Sequence, residues 1–217
     1  MTRRPGIELL LVLGVSLGAS AVYSILSLIR NITSEQGLAG SQVTLNRSLA
    51  ENPWVDLAYQ LAGFVLPLVP VALVIYLLKL DGSAAAQLGI VRQKIAKDSL
   101  FGLYLTILIG LPGIGLYLLA RANGLAAEVV IDAIAQRWWE VPILLLNAAE
   151  ASILEETIVV GYLFIQLRKL RLSETAIILI SASLRAVYHL YQGLAGLAGN
   201  FIMGIIFGFL YSRLGRL

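Results

Sequence analysis

The chain of 217 residues contains no cysteine, a single histidine, and only 13% charged residues. Without thiols there can be no disulfide, no Cys-ligated zinc and no cysteine nucleophile. One histidine is too few for a His-rich metal site. The charge content is about half that of an ordinary soluble domain, whereas 59% of the residues are hydrophobic and mean hydropathy is +0.85. These values describe a polytopic membrane protein, all-α, folded as one transmembrane helical bundle. The net charge of +3 and the pI near 9.3 reflect basic loops. No nucleic-acid partner is expected, because no basic patch carries interleaved aromatics.

About six spans can be drawn, at 7–29, 58–78, 99–120, 141–167, 175–191 and 195–212. Pro67 and Pro70 predict a kink in the second, where backbone hydrogen bonds are lost. Gly110-Leu111-Pro112-Gly113 predicts a bend or break in the third. The amino terminus, Arg3-Arg4 followed by apolar Ile7 to Leu17 and then Ala19-Ser20-Ala21, has signal-peptide features. Its apolar character continues to Leu28, long enough to span, so it is read as an uncleaved first helix.

Basic residues near span ends set the orientation. Arg3, Arg4, Lys79, Arg92, Lys94, Lys97, Arg168, Lys169, Arg171, Arg213 and Arg216 recur at every second connection. Loops 31–57 and 121–140 are poorer in them and hold Glu35, Glu51, Asp56, Glu128, Asp132 and Glu140. Both termini are therefore expected in the cytoplasm. The sequons at Asn31 and Asn46 carry no weight, and Trp138-Trp139 reads as an interfacial anchor.

Against this apolar background Glu155 and Glu156 stand inside the fourth span and His189 in the fifth. Ionisable groups at bilayer depth cost a few kcal/mol and are functional candidates by default. Counted from the basic ends at about 1.5 Å per residue, Glu155 lies roughly 18 Å deep, His189 roughly 21 Å and Asn200 roughly 20 Å. Three polar side chains from successive helices thus share one level. Arg185 lies one helical turn from His189 on the same face. Glu155 and Glu156 differ by about 100° of rotation, so one can face a cavity while the other meets a neighbouring helix. Gly196, Asn200, Gly204, Gly208 and Ser212 form a small-residue stripe that reads as packing. Simpler readings exist for the polar groups: an acid paired with Arg185 to hold helices together, or His189 at an interface with Tyr188 and Tyr191. Glu150, one turn before Glu155, belongs either to the site or to the outer surface.

The segment Glu155-Glu156-Thr157-Ile158-Val159-Val160-Gly161-Tyr162-Leu163 resembles the first motif, Glu-Glu-x-x-x-Arg-Gly-Tyr/Phe-Leu, of the CPBP family of glutamic intramembrane proteases (CAAX-processing and bacteriocin-processing, type II CAAX prenyl endopeptidase-like). Leu184-Arg185-Ala186-Val187-Tyr188-His189 resembles the second, Phe-x-x-x-His. Phe201 to Gly208, running on to Leu217, is similar to the glycine-rich helix that follows. The resemblance divides the chain into amino-terminal helices and loops, 1–135, and a CPBP-like core, 136–217.

It implies an intramembrane endopeptidase acting on a membrane-associated protein or peptide, in contact with membrane lipid. Glu155 would activate water, Glu156 would support it, and His189 would position water or stabilise an oxyanion. No cofactor is implied, although two acids and one histidine could hold a divalent metal weakly. Three positions depart from the pattern. Val160 replaces the motif arginine, and Arg185 replaces the second-motif phenylalanine and could supply the missing charge. The chain ends before the family's His-x-x-x-Asn/Asp helix, for which Asn200 could substitute. The expected setting is a bacterial plasma membrane. A non-catalytic member of the fold that binds or stabilises a membrane partner, and a small transporter, remain as alternative readings.

Overall fold

The computed structural model describes residues 4–35, 37–45, 47–90, 94–131 and 137–217. Arg3, Arg92, Asp132 and the Asn46 sequon, used above, lie outside the described residues. Among the described residues there are seven helices: α1 Pro5–Thr33, α2 Pro53–Lys79, α3 Ala84–Leu88, α4 Ile95–Ala122, α5 140–169, α6 Glu174–Tyr188 and α7 Leu194–Leu214. Each of the six expected spans is one of these helices. By length and composition four of them, α1, α2, α4 and α7, are apolar enough to cross a membrane. The protein is an integral membrane protein built as an all-α bundle.

Helix starts follow their capping residues. Asn52 accepts hydrogen bonds from the backbone N–H groups of Trp54 and Val55 at the head of α2, and Ser173 accepts one from Ala176 at the head of α6. Glycines in the left-handed region close α3 at Gly89 (φ 74°) and α7 at Gly215 (φ 64°).

Helix α5 runs through the middle. Every residue from Thr157 to Phe164 is buried, the pattern of a helix covered on all sides. The apolar core, with Val12, Val74, Leu78, Leu88, Ile158, Phe164 and Ile177, gathers around that half of α5, toward the end of the bundle where the basic residues lie. Helix α6 packs along α7, where the small-residue stripe makes close approach possible: a Cβ on Gly204 would lie 2.7 Å from the Ala182 Cα. Helix α4 meets the bundle chiefly through α7.

One expectation about helix interruptions needs correction. Helix α4 is not broken at Gly110-Leu111-Pro112-Gly113; it continues through Pro112. Proline removes only one backbone donor, and lipid offers the flanking groups no alternative partners. In α2 the proline pair produces a 3₁₀ turn, Leu66–Leu68, without ending the helix. The sequence did not announce two other irregularities, π-helical segments at Gly14–Gly18 in α1 and Glu156–Tyr162 in α5. Nor did it announce a short parallel strand pair, β1 Gln42–Leu45 with β2 Glu128–Ile131, which ties the two long loops together at the end of the bundle opposite the basic residues. At that end Asp56 accepts a backbone hydrogen bond from Leu49 and meets Arg137, while Trp139 packs on Trp54 and Trp138 stays exposed.

Candidate functional site

The fifth expected span stops three residues early. Helix α6 ends at Tyr188, and His189 caps it, followed by a 3₁₀ turn, Leu190–Gln192, and a reversal at Gly193 (φ 91°). A Cβ on Gly193 would crowd the Leu125 carbonyl at 2.9 Å, so the turn requires glycine both for its φ and for its contact. His189 therefore sits at a helix end, with its ring against Tyr188 (4.7 Å between centroids) and near Tyr191 (6.1 Å).

On α5, Glu155 closes the α-helical stretch and Glu156 opens the π-helical one. A π-bulge adds a residue to the turn and re-aims the side chains beside it, a device common at functional sites. Ser181 of α6 donates to the carbonyl of Val159 inside this segment, 2.9 Å away, pinning it to the neighbouring helix.

The structure brings Arg185 onto both acids. Its Nη2 lies 2.6 Å from Glu155 Oε2 and 2.9 Å from Glu156 Oε1, and its Nε donates to Glu155 Oε2 at 3.2 Å. Arg185 is only 4% exposed, and its guanidinium stands 5.1 Å from the Phe207 ring centre. Val160, at the position of the motif arginine, is buried and makes no such contact. An ion pair held this far from water needs good geometry to offset desolvation; Nε and Nη2 both reach Glu155 Oε2, while Nη1 is buried without a partner among the described residues.

His189 Nε2 lies 3.8 Å from Glu155 Oε1, the oxygen that Arg185 does not engage. That exceeds a direct hydrogen bond and is a separation that one water, about 2.8 Å from each atom, would bridge. The other ring nitrogen, Nδ1, lies 3.0 Å from the Arg185 carbonyl. A carbonyl only accepts, so Nδ1 carries the proton in this contact and Nε2 of the neutral ring is an acceptor. Any bridging water would then donate to both Glu155 and His189, leaving its lone pairs directed outward. Tyr188, which the sequence reading placed only as an interface residue, has its buried hydroxyl beside Glu155 and Arg185. Its position three residues after Arg185, on one helix face, was the available signal.

Two cavities meet at Glu155. The first, of about 550 Å³, lies among α4, α5, α6 and α7 and reaches Glu156, Val160 and Arg185. At its mouth Arg216 pairs with Asp98 at 2.9 Å. The second, of about 740 Å³, is walled by α1, α2 and α5 and contains Glu150, Tyr188, His189 and Tyr191. Glu155 and Ala151 line both. Asn200 lines neither cavity: it is buried, and its Nδ2 donates to the Gly196 carbonyl of its own helix at 2.9 Å. Among the described residues, no group of three or more acidic or histidine side chains is arranged to hold a metal ion.

Residues 137–217 match the model of the family described as type II CAAX prenyl endopeptidase Rce1-like. The motif resemblance holds over this segment. No curated protein and no solved structure matches the chain. The Rce1-like segment comprises α5, α6 and α7, and it supplies Glu155, Glu156, Arg185 and His189. The α1, α2 and α4 walls of the two cavities lie outside it.

Proposed function

We propose that the protein is an intramembrane endopeptidase in which Glu155 activates water against a peptide bond of a membrane-associated substrate. The observation that carries this reading is the division of labour between the two oxygens of Glu155. Oε2 is fixed by Arg185, while Oε1 faces His189 across a space that one water can fill. Similarity of residues 137–217 to the Rce1-like family supports the same class of reaction.

In this mechanism Glu155 Oε1 accepts a proton as the water oxygen attacks the substrate carbonyl carbon. His189 Nε2 holds the second hydrogen and so fixes the direction of attack. The tetrahedral intermediate collapses with cleavage of the C–N bond, and the proton on Glu155 passes to the departing amine. Arg185 keeps the base oriented for the next turnover, and Glu156 takes a second contact from the same Nη2. Burial of Arg185, 4% exposed, strengthens its contacts with the acids relative to the same contacts in water.

The test is cleavage of co-expressed membrane proteins by wild type and by Glu155→Gln at equal abundance. The amide preserves shape but cannot take a proton, and loss of a general base costs about 10²–10⁴ in rate. Identical fragments from both proteins would remove Glu155 from the role of base. No cleavage by wild type would favour the rival reading, a membrane protein that binds a partner without cutting it.

A further inference from the structure

The second cavity lies between α1 and α2. The amino-terminal part of α1, Pro5–Leu13, touches α2 at Val69–Lys79, near the basic end. Beyond that point the helices part: the far half of α1 packs on α6 and the 190–192 turn, and the far half of α2 packs on α5. The lips of the resulting slot are apolar and exposed, with Val15 at 64%, Leu66 at 65% and Val69 at 60%. Its floor is polar, with Glu150, Glu155 and His189. Both walls are irregular at this level, π-helical at Gly14–Gly18 and 3₁₀ at Leu66–Leu68.

Glu150 has no role in the mechanism above. It makes no hydrogen bond or ion pair among the described residues, and the charge that acts on it is that of Glu155, of the same sign. Ten residues into α5, it stands about 15 Å from the helix start, near the middle of a hydrocarbon layer about 30 Å thick. A carboxylate at that depth, facing a slot with apolar lips, is costly until a donor or cation arrives.

We propose that Glu150 is a specificity-determining residue, and that the slot between α1 and α2 receives a transmembrane segment carrying a lysine or arginine that pairs with it. The inference rests on the peptidase reading and names the substrate feature that would be selected. Its register follows from chain geometry. Glu150 precedes Glu155 by five helical positions, a rise of about 7.5 Å. Unwound beside Glu155 for attack, the segment advances about 3.3 Å per residue as an extended chain, so the basic side chain belongs about two residues from the bond being cut.

The probes are synthetic apolar peptides of about 20 residues with Lys, Gln or Glu at one central position, reconstituted with the full chain in lipid vesicles. Binding is read by fluorescence transfer to the Glu155→Gln protein, and cutting is read by mass spectrometry with wild type. Close charge pairs at interfaces couple strongly enough that Lys should bind at least about tenfold tighter than Glu. Glu150→Lys should reverse the order, a gain that misfolding cannot mimic. Cuts should fall about two residues from the lysine and move with it when it is shifted along the peptide. Equal binding of the three peptides, a preference that survives Glu150→Lys, or cut sites indifferent to the lysine would overturn the proposal. A reversible charge preference without any hydrolysis would uphold recognition by Glu150 and remove the peptidase reading instead.

Discussion

Arg185 binds Glu155 and Glu156 together, through one nitrogen, Nη2, placed 2.6 Å from the first carboxylate and 2.9 Å from the second. The cation comes from α6, where the related motif has an aromatic residue, and the motif's own arginine position is Val160 on α5. Compared with that motif, the charge sits on the neighbouring helix, where it cross-links α5 to α6.

Removal of that cation should be severe. Arg185→Phe leaves two acids without their partner, and breaking a buried pair from one side costs about 3–5 kcal/mol. Val160→Arg places a guanidinium one turn after Glu156, the arrangement of the family motif. The double variant Arg185→Phe, Val160→Arg should therefore melt higher than Arg185→Phe alone, measured by thermal unfolding in detergent. A double variant less stable than the single one would show that the two positions are not interchangeable.

The close contact of α6 with α7 gives a second expectation. At Gly204 an added Cβ meets the Ala182 backbone at 2.7 Å, which no side-chain rotation relieves. Gly204→Val should destabilise by about 1–3 kcal/mol through overpacking. Gly199, where the nearest atom to an added Cβ is a Leu116 side-chain carbon at 3.6 Å, should accept alanine with little change. Thermal unfolding of the two variants checks the contrast.

Much of this arrangement was legible in the sequence. Long apolar runs located the spans, and equal depth together with shared helical faces indicated that Arg185, His189 and the acids would converge. Asn200 shows where depth alone misleads: it lies at the right level, yet its side chain turns back to Gly196 and reaches neither cavity. The end of α6 at His189 depends on Gly193 meeting the Leu125 carbonyl, a contact between distant segments that local pattern does not reveal. The π-helical turn at Glu156–Tyr162 was hidden for a similar reason, since its carbonyl at Val159 is claimed by Ser181 of the next helix. The strand pair joins two loops across more than eighty residues of sequence, outside any helical period.

Outside the spans, the turn between α5 and α6 carries a pH-dependent contact. Arg168 donates to both carboxylate oxygens of Glu174, and Ser212 donates to one of them. The Arg168 hydrogen bonds lead in holding the Glu174 carboxyl down at about 2. A depressed folded-state value means the contribution is complete above the ordinary glutamate range, about 4.3, and fades as pH falls toward 2. The pair is partly exposed, so its effect is modest. Glu174→Gln should lower the melting temperature slightly at neutral pH, and the difference from wild type should shrink in acid. A gap that is constant from pH 7 down to pH 3 would rule out the carboxylate as its source.

His189 offers the sharpest test of how water is held. Its Nδ1–H is fixed by the Arg185 carbonyl, so the chemistry assigned to the ring belongs to Nε2, 3.8 Å from Glu155 Oε1. Glutamine reaches about as far as Nε2 and offers an amide oxygen to water. Asparagine ends near the position of Nδ1, keeping a donor for the Arg185 carbonyl but nothing toward Glu155. If positioning by Nε2 matters, turnover should fall in the order wild type, His189→Gln, then His189→Asn and His189→Ala together. The drop to the last pair should approach the 10²–10⁴ range expected of acid–base and water-positioning groups. Melting temperatures should follow a different order, with asparagine above alanine because the contact to the Arg185 carbonyl survives. Turnover that instead tracks stability, with asparagine close to wild type, would make His189 a helix cap and leave Glu155 to bind its water unaided.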